Sequence, residues 1–263
     1  MAVSPHLDDA VFSAGGTIAA LVTAGWSIRI VTCFTASVAH PSPFALSTQL
    51  DKGLSGDVDY MALRRNEDAA ACAVLGAQPL HLPLPEAPHR GYTSAPYLFA
   101  GVRPDDDIGP VLHKSLRPLL ADVDLVLAPQ AIGDHADHRI VAEVVAALAP
   151  QALWWRDAPY VLRQPDAMPW TAVPIGWEQV VDIGPHLETK IMAARCYRTQ
   201  LDFQFGSPER VEPQLRELAA AEAARMGAAT PCEALTGSGR SLASLGVRCP
   251  AVSNPMGRKA VRP

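Results

Sequence analysis

A chain of 263 residues with 49% hydrophobic content can build one large α/β domain, or two small ones, around a well-buried core. Its 22 Lys and Arg against 27 Asp and Glu give a net charge of −5, without the basic excess of a phosphate-backbone binder, so no nucleic-acid partner is expected. The N-terminus lacks a cationic start followed by an apolar run and a cleavage site, and no apolar stretch is long enough to span a membrane; a cytoplasmic protein with no membrane association is expected.

Runs rich in Val, Ile and Leu alternate with segments of helical period, which predicts a mostly parallel sheet covered by helices on both faces. A very short strand, Ala2–Ser4, leads into a helix reaching about Gly25, and SIRIVTCFT (Ser27–Thr35) is the next strand. A loop rich in Pro, Ser and Gly follows from Ala36 to Asp59. YMALRRNEDAAACAVLGA predicts a helix ending at Gly76, followed by a strand near Gln78–Leu84 and a second long loop from Pro85 to about Asp107. A helix to Ala121, a strand over Asp124–Gln130 and a helix over His138–Ala149 complete the main alternation. Further strands are expected at YVLR and EQVVDI, with helices over Lys190–Leu201 and Glu209–Gly227. From Thr236 the chain is rich in Gly, Ser, Arg and Pro, so a single domain over 1–235 and a loosely held tail over 236–263 are expected. Both long loops follow strands, where open α/β sheets bind ligands, and they are the candidate substrate rim.

SPHLDDAVFSAGGT, Ser4 to Thr17, sets His6, Asp8 and Asp9 just past the first strand, at the opening of a helix. GDHADHRIV, Gly133 to Val141, sets His135, Asp137 and His138 in the same place relative to a later strand. The C-terminal ends of parallel strands share one edge of the sheet, so the two clusters can meet. Six titratable groups crowded at that edge are costly unless a cation or a hydrogen-bond network compensates them. Two neutral imidazoles and one carboxylate around Zn²⁺ leave a fourth position for water, the composition of a catalytic site. A lone Asp in such a position is commonly a helix cap, as Asp8, Asp9 and Asp134 each could be; the coincidence of His and Asp at both junctions favours the metal. Gly15 and Gly16 cost about 1 kcal/mol each inside a helix, which points to a close approach there. They are not a dinucleotide fingerprint, because the GxGxxG spacing is absent. The five cysteines are scattered without a CxxC pair and indicate neither a disulfide framework nor a thiolate zinc site. His40, His81, His89 and His113 lack partners at ligand spacing and are read as structural or surface residues.

The two motifs together resemble the zinc-dependent de-N-acetylases of the LmbE/PIG-L type, with Pro-His-X-Asp-Asp before a Gly-Gly helix and a later His-X-Asp-His. The resemblance covers about Val3 to Leu201 and extends to Arg64, Glu67 and VLG (Val74–Gly76), and to KIMAARCYRTQ (Lys190–Gln200). Ala10 stands where many members have Glu, and Tyr197 where many have His. The resemblance implies a Rossmann-like α/β fold in which His6, Asp9 and His138 bind Zn²⁺, other divalent metals being alternatives. It makes Asp8 the general base, and a protonated His135 the group that stabilises the oxyanion and protonates the departing amine. Asp137 is then an orienting partner for an imidazole or a helix cap, and Arg64 and Tyr197 are candidates for supporting the ligands or touching substrate. By position alone, Arg64 and Arg65 either reach the rim and hold a substrate hydroxyl or anionic group or form a solvated helix face. The implied substrate is a small N-acylated amino sugar or glycoside; a homo-oligomer is left open. An amidase for a non-sugar or long-chain N-acyl substrate is the alternative. A ferrous oxygenase would more often lie on an all-β barrel, and a non-catalytic sugar-binding module would be expected to lose Asp8 or His135.

Overall fold

The computed structural model describes residues 1–174, 176–237 and 241–252. The chain opens with β1 (Ala2–Ser4), α1 (Asp9–Thr23) and β2 (Arg29–Thr32), then α2 (Pro43–Leu50), α3 (Tyr60–Leu75) and β3 (Gln78–His81). A four-residue α4 (Ala95–Leu98) precedes α5 (Ile108–Leu120), β4 (Leu127–Pro129), α6 (Ala136–Leu148) and β5 (Leu153–Trp155). The last part holds α7 (Tyr160–Arg163), β6 (Trp177–Asp182), α8 (Leu187–Ala194), α9 (Arg198–Phe205), α10 (Val211–Met226) and β7 (Cys232–Gly237).

These strands form a mixed sheet of order β3-β2-β1-β4-β5-β7-β6. Its first five strands are parallel, and β7 runs antiparallel between β5 and β6. Successive strand residues point to opposite faces, so each strand feeds two cores. Ala2, Ile30, Leu127 and Leu153 pack with α1, α8 and α10 on one face, whereas Val3, Val31, Ala128 and Trp154 pack with α5 and α6 on the other. The result is the expected α/β architecture with helices on both faces. Among the described residues, no helix is long and apolar enough to cross a membrane.

Several elements depart from the sequence reading. YVLR is not a strand but the single helical turn α7, and the strand near it is the preceding LWW of β5. A run of three or four apolar residues carries no period that separates strand from helix. The helix expected over Lys190–Leu201 breaks into α8 and α9 because Tyr197, at φ −82° and ψ 54°, leaves the helical region. The Ala36–Asp59 loop contains α2, with Pro43 in its first turn and the Ser42 hydroxyl accepting from the Ala45 amide at 3.3 Å.

The expected boundary at 235 is also corrected. Strand β7 runs through it, with Thr236 paired to both Trp154 and Glu178. Beyond it, Leu242, Leu245 and Val247 are buried against the core, and the Trp26 indole donates to the Leu245 carbonyl at 2.9 Å. Three apolar anchors inside a Gly/Ser-rich stretch hold this segment down; the remainder of the expected tail, 238–240 and 253–263, lies outside the described residues.

Helix α1 is not continuous. Ala14, at φ −125° and ψ 17°, breaks it just before the glycine pair. Gly16 sits there because a Cβ would fall 2.7–2.8 Å from Ile183 side-chain atoms. The break frees backbone amides, and Glu233 of β7 takes them: its carboxylate accepts from Gly16 N at 3.0 Å, Thr17 N at 2.7 Å and the Thr17 hydroxyl at 2.7 Å. Lys190 supplies the counter-charge at 2.6 Å from Glu233, and both side chains are buried. Glu233→Ala strands the lysine charge and two helix amides, and is expected to cost about 3–5 kcal/mol, read as a lowered denaturant midpoint at unchanged slope.

Candidate active site

Two turns, one after β1 and one after β4, build the site. In the first, the Ser4 hydroxyl donates to the His6 carbonyl at 2.7 Å and accepts from the Ala10 amide at 3.1 Å, pinning the chain between strand and helix. The Asp9 carboxylate accepts from the His6 amide at 2.8 Å. Asp8 makes no side-chain capping bond, so the simple capping role does not apply to it.

The second turn is tighter. Ala131 (φ 58°), Gly133 (φ 94°) and Asp134 (φ 65°) all take left-handed backbone. Gly133 is also required sterically, since a Cβ there would lie 2.4–2.9 Å from the Tyr160 ring. The turn sets His135 at the start of α6, where its Nδ1 accepts from the Asp137 amide at 3.2 Å, and places His138 one turn on. Asp134 is no cap; it pairs with Arg139 at 2.7 Å.

The turns converge. The His6 and His138 ring centroids are 5.2 Å apart, and those of His6 and His135 are 4.9 Å apart. Asp9 Oδ2 lies 3.3 Å from His6 Nδ1 and 3.3 Å from His138 Nε2. His138 Nε2 is buried without a hydrogen-bond partner among the described residues. An orphaned imidazole nitrogen facing a carboxylate and a second imidazole is the donor set of a divalent cation, and ligand atoms of His6, Asp9 and His138 all lie close enough to share one. His6, His135 and Asp137 also come within such reach, but the Asp137 carboxylate is already committed. It meets His6 Nε2 at 2.9 Å, accepts from the Ala87 amide at 3.0 Å and takes Arg90 at 2.6 Å.

Asp137 is therefore the orienting carboxylate of His6, turning Nδ1 toward Asp9. Asp157 does the same for His138, at 3.1 Å from its Nδ1, and is itself held by the Ile132 amide at 3.0 Å. Such partners fix the ring tautomer and raise ligand basicity. The electrostatics follow. Burial works against charge on both imidazoles, yet Asp137 and Asp9 hold His6 well above its usual value, and Asp9 and Asp157 carry His138 up to about 9. Burial would likewise raise Asp9, but His138 and His6 keep it well below the carboxylate range. The site thus favours positive charge at the point where the three candidate ligands face one another.

Asp8 and His135 are tuned in opposite ways. Burial, then the neighbouring Asp9 charge, pushes Asp8 up to about 7 against the pull of Arg64 and His6. Burial and the His6 charge push His135 down to about 3, so its ring stands neutral rather than in the protonated form that the resemblance implied. With Nδ1 accepting from the Asp137 amide, the ring proton belongs on Nε2.

Arg64 takes the supporting place expected of it and not the rim. It is only 5% exposed and lies 2.6 Å from Glu86 and 3.7 Å from Asp8 Oδ2, which has no hydrogen-bond partner among the described residues. Arg65 instead binds the Thr35 carbonyl at 2.6 Å. Tyr197 is fully buried, and its hydroxyl donates to Asp68 at 2.7 Å rather than to a group of the site. That Asp68 also holds His81, at 2.8 Å. The two long loops do come together, lining a cavity of about 510 Å³ with Tyr60 and Met61; Glu86 and His89 form part of its wall.

Sequence reasoning missed Asp157, Arg90 and Glu86. The signal for Asp157 was present, as a carboxylate two residues past a strand end on the same sheet edge, but β5 itself was not identified.

Comparison with known proteins accords with this geometry. Residues 1–149 match the PIG-L family, GlcNAc-PI de-N-acetylase. The chain is 32% identical over 166 residues to the 2'-N-acetylparomamine deacetylase of Streptomyces fradiae, an alignment covering 60% of this chain and 56% of that protein. The chain thus spans little more than half the length of that curated relative. Among solved structures, the A40926 pseudoaglycone deacetylase superimposes with a TM-score of 0.76 at 28% identity, covering 90% of this chain and 95% of that one. The zinc-inhibited form of teicoplanin deacetylase superimposes with a TM-score of 0.77 at 25% identity, covering 89% and 96%. With more than half its length matched, and both His/Asp motifs within or at the edge of one preformed site, the chain belongs to the GlcNAc-PI de-N-acetylase (PIG-L) family.

Proposed function

We propose that this protein hydrolyses an N-acetyl, or closely related N-acyl, group on a small molecule bearing an amino sugar, with zinc as the divalent metal held by His6, Asp9 and His138. The observation that carries this reading is Asp9 Oδ2 set 3.3 Å from one nitrogen of each imidazole, with an adjacent residue, Asp8, whose buried Oδ2 has no hydrogen-bond partner among the described residues. The relatives' names support the substrate class: by description they are deacetylases of 2'-N-acetylparomamine, of a 2-acetamido-2-deoxy-glucopyranoside of myo-inositol, and of A40926 pseudoaglycone. A bound divalent cation would supply a Lewis acid that polarises the acyl carbonyl and makes water acidic enough to attack near neutral pH.

The protein's own groups do the rest. Asp8 takes the proton of the attacking water, for which a value near 7 suits it. Arg64, itself held by Glu86, lies 3.7 Å from Asp8 as its counter-charge. His135, neutral and carrying its proton on Nε2, donates a hydrogen bond to the carbonyl oxygen as charge develops there. Asp8 then passes its proton to the departing nitrogen, because an amide anion cannot leave unprotonated. This revises the role of His135 from acid to neutral donor, on account of its burial.

The test is acetate release from a panel of N-acetylated amino sugars, measured before and after chelation and again after zinc is returned. Release that disappears with the chelator and returns with zinc is the expected result. Hydrolysis confined to acyclic or long-chain amides would overturn the sugar reading.

A further inference from the structure

Phe99 belongs neither to the ligand set nor to the proton path, yet its ring closes on His135. The two centroids are 5.4 Å apart with the planes at 82°. Behind it stands Tyr160, 6.3 Å away, which in turn is edge-on to His138 at 5.6 Å and 83°. Tyr160 can occupy that place only because Gly133 has no side chain. Phe99 is thus the outer end of an aromatic wall whose inner end touches a metal ligand. It nevertheless remains 42% exposed, just past α4 in the loop after β3.

We propose that Phe99 is the platform on which the sugar ring carrying the scissile N-acyl group stacks, and so is a specificity-determining residue; this rests on the deacetylase reading above. His135 must meet the carbonyl oxygen. The sugar carbon bonded to the amide nitrogen is two bonds from the carbonyl carbon, so the pyranose cannot leave the neighbourhood of His135. The ring that packs against His135 and still has surface to offer is Phe99. An aromatic face is electronegative, and the C–H face of a pyranose is its electropositive, weakly hydrated side. Polar groups alone would hold an acyclic hydroxylated amide equally well, whereas a flat aromatic surface selects the closed ring.

The experiment compares wild type, Phe99→Ala and Phe99→Trp on three substrates: the methyl glycoside of N-acetylglucosamine, its N-octanoyl counterpart, and the acyclic N-acetylethanolamine. A contact made to the sugar ring and not to the reacting atoms is felt about equally in ground and transition states. Phe99→Ala is therefore expected to raise KM for the glycoside about tenfold with kcat within about twofold, so that the preference for the glycoside over the acyclic substrate falls by about the same factor, and to be rescued by Trp. Equal losses on cyclic and acyclic substrates, a fall in kcat at constant KM, or a loss larger for the octanoyl than the acetyl compound would each overturn the proposal. Saturation-transfer NMR with the amine product, methyl glucosaminide, reports on Phe99 without turnover. Sugar-ring signals present in wild type and lost in Phe99→Ala support the stacking even if no glycoside is hydrolysed, which would count against the activity alone. Equal signals in both proteins refute it.

Discussion

Asp8→Asn is expected to keep its bound metal and lose turnover by about 10²- to 10⁴-fold, the range for removing a positioned general base. The substitution is nearly isosteric and removes only the capacity to take a proton. Asp8 is not among the three ligands that face one another, so metal content measured by atomic emission should match the wild type. Arg64 keeps its counter-ion, since Glu86 lies at 2.6 Å and Asp8 at 3.7 Å. The fold should therefore hold, which a thermal melt will show. Full activity in this variant would dismiss Asp8 as the base, and loss of metal would move it into the ligand set.

His138→Ala is expected to do the opposite, removing the metal and the activity together. Zinc per chain should fall at least tenfold after dialysis, and acetate release should fall in parallel. The ring is completely buried and lies between Asp9 at 3.3 Å and Asp157 at 3.1 Å. Its removal leaves two carboxylates facing a gap with one imidazole where the cation needs two. Charge among these groups is already balanced by their mutual contacts, so wild-type protein should release protons on taking up zinc. Indicator dye in weak buffer measures that release, which should be smaller in the variant.

The candidate site was legible because its His and Asp residues sit in two compact motifs at strand ends, and a parallel sheet brings such ends to one edge. Its supporting groups were less so. Asp157 follows a strand of three residues, Leu153 to Trp155, too short to show any alternation. Arg90 and Glu86 lie in a loop whose path no periodicity describes, yet they hold Asp137 and Arg64. Tyr197 sits in a helical pattern at the one place where that pattern breaks, and the break is what turns its ring into the core. The segment after Thr236 looked loose by composition, while Leu242, Leu245 and Val247, buried among the described residues, are too few to establish a period in the sequence.

The carboxylate that mends the break in α1 comes from Glu233, 217 positions after Gly16. During synthesis the helix that bears Asp9 at its start emerges well before the anion that completes it. A nascent chain stopped short of β7 would therefore carry both His/Asp motifs while two amides of α1 still lacked their acceptor.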